Sequence, residues 1–298
     1  MAQDFQEKKM NGISIIGAGR LGTSLGNALS KKGYRIKFLS CRTSPSAEES
    51  RKIIGEGMAS TDNIQTARAG DIIILCLPDE EILKVTKVLI DAQINWSEKF
   101  IFHCSGLLSS EILKPLKAKG ALTASIHPVQ SFAHKKTPPE QFENIYFGLE
   151  GETKALEESQ KIIQNLGGRS FIIKAEDKIL YHTACSIASN FFVVLLDTAS
   201  SLLNQAGLQE EQAFQVLLPL VKGTLHNVKK FDIHSSLTGP VIRGDKVSVE
   251  KHLEALRKFP SLDEMYRRLA FQALEIARRE QKLSDQKIKA LKDLLEGK

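Results

Sequence analysis

The strongest constraint on this chain is a change of rhythm near residue 174. Before it, short β-rich runs alternate with helical stretches; after it no such run recurs. The runs occupy 13–19 (ISIIGAG), 35–40 (RIKFLS), a weak one at 57–60 (GMAS), then 71–78, 99–106, 122–128, 144–150 and 170–174. A regular succession of strand, helix and strand specifies a mostly parallel sheet covered on both faces, because parallel neighbours need a crossover long enough to hold a helix. The expected fold class is α/β: a doubly wound, mostly parallel sheet in residues 1–174, followed by an all-helical domain in residues 175–298.

The helical part has its own signals. Residues 181–208 contain no proline and run to Gly207, a residue suited to the left-handed position just past a helix end, so one long helix is expected. Apolar residues nearly surround it, with Ala184, Ala188, Ser189, Ala199 and Ser200 between them. Both sides are therefore expected to pack on protein, a second subunit included. Amphipathic helices are expected at 264–278 and 284–296. In the first part, Ser46 and Glu49, preceded by Pro45, spell a capping box. Pro115 requires the helix after Ser110 to break or kink. Residues 134–141 (HKKTPPEQ) form the clearest loop.

Composition narrows the class. A chain of 298 residues with 42% apolar and 26% charged residues can bury a sizeable core in one or two domains. Its polar start (MAQDFQEKKMNG) lacks the apolar segment of a secretory leader, and the longest uninterrupted apolar runs, IIILCL and FFVVLL, fall short of the ~20 residues that cross a bilayer. A cytoplasmic protein with no membrane contact is the expectation. Cys41, Cys76, Cys104 and Cys185 lie far apart along the chain in apolar segments, giving neither metal-ligand spacing nor a disulfide framework, so no metal is expected. The net charge of +6 comes from dispersed lysines, and with 6% aromatic residues no basic stripe with stacking rings is formed, which argues against a nucleic-acid partner.

The most specific motif is IIGAGRLG. Gly17, Gly19 and Gly22 form G-x-G-x-x-G between an apolar strand and a good helix, with Ala18, Arg20 and Leu21 completing the loop. Gly17 suits the tight turn, Gly19 the approach of a pyrophosphate, and Gly22 the packing of helix on strand; the resulting fold is of the Rossmann type. A glycine-rich turn without a ligand, or a site for S-adenosylmethionine, would use the same signature. NAD and S-adenosylmethionine sites usually place a carboxylate at the end of the second strand. Here that position is Ser40, followed by Arg42, Thr43 and Ser44. A guanidinium with neighbouring hydroxyls suits a 2′-phosphate, so the expected cofactor is NADP, with Leu77 and Pro78 beside it after the fourth strand. The alternative is an Arg42 that stacks on adenine or points to water, and then NAD is tolerated.

In such a sheet the ligand lies outside the carboxyl ends of the strands, which directs attention to 77–81, 103–106 and 127–132. His127 ends a strand, precedes a proline and belongs to the residue type that titrates near neutrality, so it is the first candidate for proton transfer; it could instead pack on Pro128. Ser105 and the Gly106 amide could hold substrate or nicotinamide, while His103 reads as a wall residue. Lys178, His182, Ser186 and Asn190 recur every four residues and form a slowly drifting polar stripe. The stripe offers His182 as an alternative acid, with Ser186 and Asn190 as substrate contacts, or else an interdomain hydrogen-bond network. Arg243, in LTGPVIRGD (237–245), could meet an anionic small-molecule substrate or sit in a tight structural turn. H-E-x-x-H, the P-loop signature and a nucleophile elbow are all missing from the sequence, which argues against a hydrolase.

Taken together, GAGRLG, SCRT, LPD, HCSG, HPVQSF, KILYHTACSIASN and LTGPVIRGD resemble an uncharacterised bacterial family of provisional NADP oxidoreductases, with a Rossmann-like N-terminal domain and a helical C-terminal domain of unknown function. The resemblance spans nearly the whole chain. It extends to pyrroline-5-carboxylate reductase and to the helical domain of 6-phosphogluconate dehydrogenase, which implies a homodimer formed through the C-terminal helices. Prephenate dehydrogenases carry a serine and a histidine-proline pair at similar strand ends, supporting Ser105 and His127 by analogy. The lysine-x-x-x-asparagine pair of hydroxyacid dehydrogenases is not reproduced at Asn190, which Ser186 precedes by four residues. The expected function is an NADP-dependent oxidoreductase acting on a small polar keto, imino or hydroxy compound; the alternative is an NADP-binding sensor or scaffold without turnover.

Overall fold

Each of the eight β-rich runs forms a strand in the computed structural model, which describes residues 12–297. The polar residues 1–11, read above as carrying no secretory leader, lie outside the described part. The strands are β1 (Ile13–Ile16), β2 (Ile36–Ser40), β3 (Met58–Ser60), β4 (Ile72–Leu75), β5 (Phe100–His103), β6 (Leu122–Pro128), β7 (Tyr146–Gly151) and β8 (Arg169–Ile172). They make one sheet in the order β3-β2-β1-β4-β5-β6-β7-β8. All neighbours are parallel except β6 and β7, which run antiparallel with His127 opposite Gly148. β1 (ISII) and β4 (IIIL) are buried along their whole length, as strands with helices on both faces must be. The chain steps outward from β1 to β3 and then returns to β4 on the other side of β1. Between these two strands the connections diverge and leave a crevice at the carboxyl ends.

Helices α1 (Arg20–Lys31), α2 (Ser44–Ile54), α3 (Asn63–Ala69), α4 (Asp79–Asp91), α5 (Lys114–Lys117) and α6 (Thr153–Asn165) cover the sheet. Strand residues alternate between two cores. Ile13, Ile15, Ile74 and Phe102 join Leu25, Leu29 and Ile163 in one, and Ile16, Ile73, Leu75 and Ile101 join Leu89 and Trp96 in the other. Pro115 falls at the start of α5, after a 3-10 turn at Ser110–Leu113, so the expected break is present. The capping box is not. α2 begins at Ser44 with Thr43 as its uncapped N-cap, because Pro45 is pre-set for the first helical turn and draws the start forward, leaving Ser46 inside the helix.

After β8 the chain is helical: α7 (Lys178–Ser186), a π turn (Ile187–Phe191) and α8 (Phe192–Gln205) run as one long helix, ending as expected before Gly207 at φ +101°. Most of its residues are exposed in the single chain, so the packing expected on both sides is absent there. Residues Ala175–Gln205 have a mean hydropathy of 1.7 over their most apolar stretch and are long and apolar enough to cross a membrane by length and composition. The uninterrupted runs understate this length, because the interleaved alanines keep the hydropathy high between them. The first turns of this helix nonetheless bond to the sheet, through Lys178 and Tyr181.

The chain divides into two compact units, Met1–Val193 and Val194–Lys298, and this division falls inside the long helix. The second unit contains α9 (Glu210–Phe231), α10 (Pro240–Arg243), α11 (Lys246–Leu256), α12 (Pro260–Arg279) and α13 (Asp285–Glu296). Its core is built from Val241, Val249, Leu253, Leu274, Leu291 and Leu295.

Candidate functional site

The turn from β1 into α1 is shaped by its glycines. Gly17 has φ +90°, and a Cβ there would stand 2.6 Å from the Cys76 carbonyl and from the Leu77 side chain. Gly22 closes the helix onto this turn, since its Cβ would come 2.5 Å from the Gly17 carbonyl. Gly19 is different: it is exposed, and a Cβ there would meet nothing nearer than 4.0 Å. The amides of Gly17 and Ala18 donate to the Ser40 carbonyl (3.0 and 2.9 Å) and that of Gly19 to the Gly17 carbonyl (2.7 Å), so the loop holds its own shape. The donors left for a ligand are the first amides of α1, at Arg20, Leu21 and Gly22. They have no side-chain cap and no acidic residue in the first turn. An open, positively polarised helix start beside Gly19 fits a pyrophosphate.

At the end of β2 the expected set divides. Ser40 is fully buried, and its hydroxyl donates to Asn63 Oδ1 at 2.7 Å, so it anchors α3 and cannot meet a phosphate. Arg42, Thr43 and Ser44 are exposed at the start of α2, whose first turn carries no acidic residue. Leu77 packs on the glycine turn, and Pro78, exposed, is the N-cap of α4.

The second cluster forms where β5, β6 and α7 meet. His103, fully buried, accepts from the Ser105 amide at Nδ1 (3.2 Å) and reaches the Ser109 carbonyl with Nε2 (3.2 Å). Burial, reinforced by the Lys178 charge, pulls its pKa down to about 3. Ser105 Oγ accepts from the amides of Leu107 (3.1 Å) and Leu108 (2.9 Å), which leaves its own proton free to donate. Gly106 must be glycine, because a Cβ would stand 2.7 Å from the His182 ring and 2.9 Å from the His127 ring. His127 Nδ1 lies 2.6 Å from the Tyr181 hydroxyl, and the His127 and His182 rings meet edge to face at 6.2 Å. A cavity of about 600 Å³ opens in front, lined by His127, Gln130, Tyr181, His182, Ser186 and Asn190 among others.

Residues 2–128 match a Rossmann-like domain, and residues 145–273 match a domain of unknown function, DUF2520. Protein TM1727 from Thermotoga maritima is 31% identical, with a TM-score of 0.71 over 90% of this chain and 99% of that one. The chain belongs to the family that joins a Rossmann-like domain to DUF2520. It is also similar to "putative NADP oxidoreductase BF3122 from Bacteroides fragilis", at 25% identity and a TM-score of 0.74 over 89% of this chain and 98% of that one. A pyrroline carboxylate reductase from Plasmodium falciparum, solved with NADP bound, shares the fold at 17% identity and a TM-score of 0.60, over 91% and 97% of the two chains. No curated protein matches the chain.

For this family member the structure brings His127, His182, Ser186 and Asn190 to one cavity, with Ser105 on the adjoining turn. It corrects the chemistry expected of His127. Burial first, then Lys178 and His182, pull its pKa down to about 4, so it is neutral at physiological pH rather than poised there. Two participants were not singled out from the sequence as site residues. Tyr181 is held protonated because burial and then Cys185 raise its pKa, and Lys178 leaves the stripe to point inward. Tyrosine on an otherwise apolar helix face, one residue before His182, was the signal available. Arg243 belongs to the other unit, exposed at the end of α10 between Gly239 (φ +105°) and Gly244 (φ +70°). Cys76 and Cys104, distant in sequence, bring their sulfurs to 3.7 Å as free thiols.

Proposed function

We propose that this protein is an NADP-dependent oxidoreductase that transfers hydride to or from a small polar keto, imino or hydroxy compound. The observation that carries the reading is that the His127–Tyr181 pair opens into a cavity at the same carboxyl end of the sheet as the glycine cradle. The amides of Arg20, Leu21 and Gly22 would hold the pyrophosphate, and Arg42, Thr43 and Ser44 the 2′-phosphate. The similarity to the Bacteroides protein and to the NADP-bound reductase supports this choice of cofactor.

The bound cofactor supplies the hydride; the chain must handle the proton and orient the acceptor. A neutral His127 suits either direction. With its proton on Nε2 and the Tyr181 phenol donating to Nδ1, it polarises a carbonyl or imine. With its proton on Nδ1, donated to the Tyr181 oxygen, Nε2 takes the proton of a hydroxyl. Ser105 donates to the same substrate atom, and Ser186, Asn190 and His182 select its polar substituents. We further read the protein as a cytoplasmic homodimer associating through its exposed helices, with no nucleic-acid partner.

Calorimetric titration of the purified protein with NADPH and NADH tests the reading. NADPH is expected to bind at least tenfold more tightly, a charge-assisted bond to phosphate being worth about 1.5–3 kcal/mol. Arg42→Glu is expected to abolish the preference. Equal affinities in the wild type would remove the basis for NADP, and binding of neither cofactor would remove the oxidoreductase reading.

A further inference from the structure

Three penalties fall on one side chain. Lys178 is 1% exposed, its ammonium bonds neutral groups, and it is the first residue of α7, where the helix dipole disfavours a cation. If filling space were its only task, an apolar residue of similar volume would serve the fold better. Its Nζ donates to Ser125 Oγ at 2.6 Å and to the Ser105 carbonyl at 3.2 Å, and Ser125 Oγ in turn donates to that same carbonyl at 3.2 Å. The three groups close a triangle at the carboxyl ends of β5 and β6.

The geometry points to Lys178 as the positioning residue of the site, a buried ammonium that pins the Ser105 carbonyl so that the Ser105 hydroxyl and Gly106 face His127 and His182. This rests on the reading of that cavity as the oxidoreductase site. The carbonyl side of Ser105 is fixed by Lys178 and Ser125, and the hydroxyl side by the amides of Leu107 and Leu108, so the turn has no freedom to rotate its donor away.

A second effect is electrostatic. The charged and titratable groups facing Lys178 are His103 and Cys104 from the β5 end, His127 from β6, Glu150 from β7 and Asp79 from α4. Glu150 is itself held by the Ser110 amide (2.5 Å) and hydroxyl (2.7 Å). Burial pulls Lys178 down to about 8 against the attraction of Glu150, Asp79 and Cys104, so the ammonium prevails at pH 7. That charge, after burial itself, is what keeps both His103 and His127 neutral; His182 adds to the effect on His127.

Lys178→Met keeps the volume and removes the charge. In the full chain with labelled histidines, NMR titration is expected to show the His127 midpoint rising by at least about one unit, and amide exchange at Leu107 and Leu108 quickening about tenfold. Lys178→Arg restores a cation and is expected to return the midpoint to its low value. An unchanged midpoint together with unchanged exchange in Lys178→Met overturns the proposal. Should that variant not fold, Ser125→Ala removes one acceptor of the ammonium. Faster exchange at Leu107 and Leu108 is then expected, and no change overturns it. NADPH titration of the wild type reports separately on the oxidoreductase reading, because these two readouts are taken without cofactor.

Discussion

Two histidines that stay neutral well below their ordinary range make the folded state acid-sensitive. His103 and His127 fall from 6.5 to about 3 and about 4, in both cases chiefly through burial. Their folded pKa values lie below the unfolded ones. Between pH 6.5 and 4 the unfolded chain therefore binds protons at these positions that the folded chain refuses. Stability is intact above pH 6.5 and is lost as the pH falls toward 4, by up to about 1.4 kcal/mol per histidine per pH unit. Lys178, lowered to about 8, adds no slope in this window because it is protonated in both states there. Urea denaturation at intervals from pH 7 to 4.5 is expected to show a midpoint that declines steadily, and His127→Gln to decline about half as steeply. A midpoint flat down to pH 5 would contradict the neutral assignment of both rings.

At the scale of elements, the long connection from β6 to β7 is tied across the start of the sheet's first two helices. Ser24 of α1 donates to the His134 and Lys135 carbonyls (3.4 and 3.2 Å), while Lys135 Nζ reaches Ser46 Oγ and Glu49 Oε2 of α2 (both 2.8 Å). The two residues that spelled a capping box thus hold a lysine 86 or more positions away instead. Lys135→Met is expected to cost about 1 kcal/mol and to quicken proteolytic cleavage within 130–138, with the core strands unaffected; an unaltered cleavage rate would show that the tether does not restrain the loop. This pair marks where sequence reading stops. Eight strands, the glycine turn and the long helix were legible because each is written in local periodicity and punctuation. The Ser46–Lys135 bond, the burial of Ser40 behind Asn63 and the His127–Tyr181 bond were not, because topology and packing decide which local alternative wins. The stripe on the long helix was legible in outline. An α-helix rotates such a stripe by about 40° every four residues, and the wider π turn at Ile187–Phe191 opposes that drift where Asn190 joins the cavity.

For the molecule as a whole, the unresolved demand is apolar surface. No charged residue stands between Lys178 and Asp197. Leu180 is 73% exposed, Val193 63% and, in the other unit, Leu220 67%. Chains in water rarely leave so much apolar helix uncovered, and we propose that a second copy of the chain covers the exposed face of the long helix. Sedimentation of the wild type at micromolar concentration is therefore expected to report twice the chain mass of 33.0 kDa. Leu180→Glu combined with Val193→Glu is expected to yield a monomer whose circular dichroism is unchanged. A wild type that sediments as one chain, or that leaves cell membranes only with detergent, would assign this face to something other than a second copy. The distinction has a functional side. The same helix carries Tyr181, His182, Ser186 and Asn190 on its cavity-lining side, so an assembly that clamps its outer face would also hold those side chains steady against His127. If the dimer forms as argued, the double variant should show faster amide exchange through 181–190 as well as the lower mass; a monomer with unchanged exchange there would separate association from the integrity of the site.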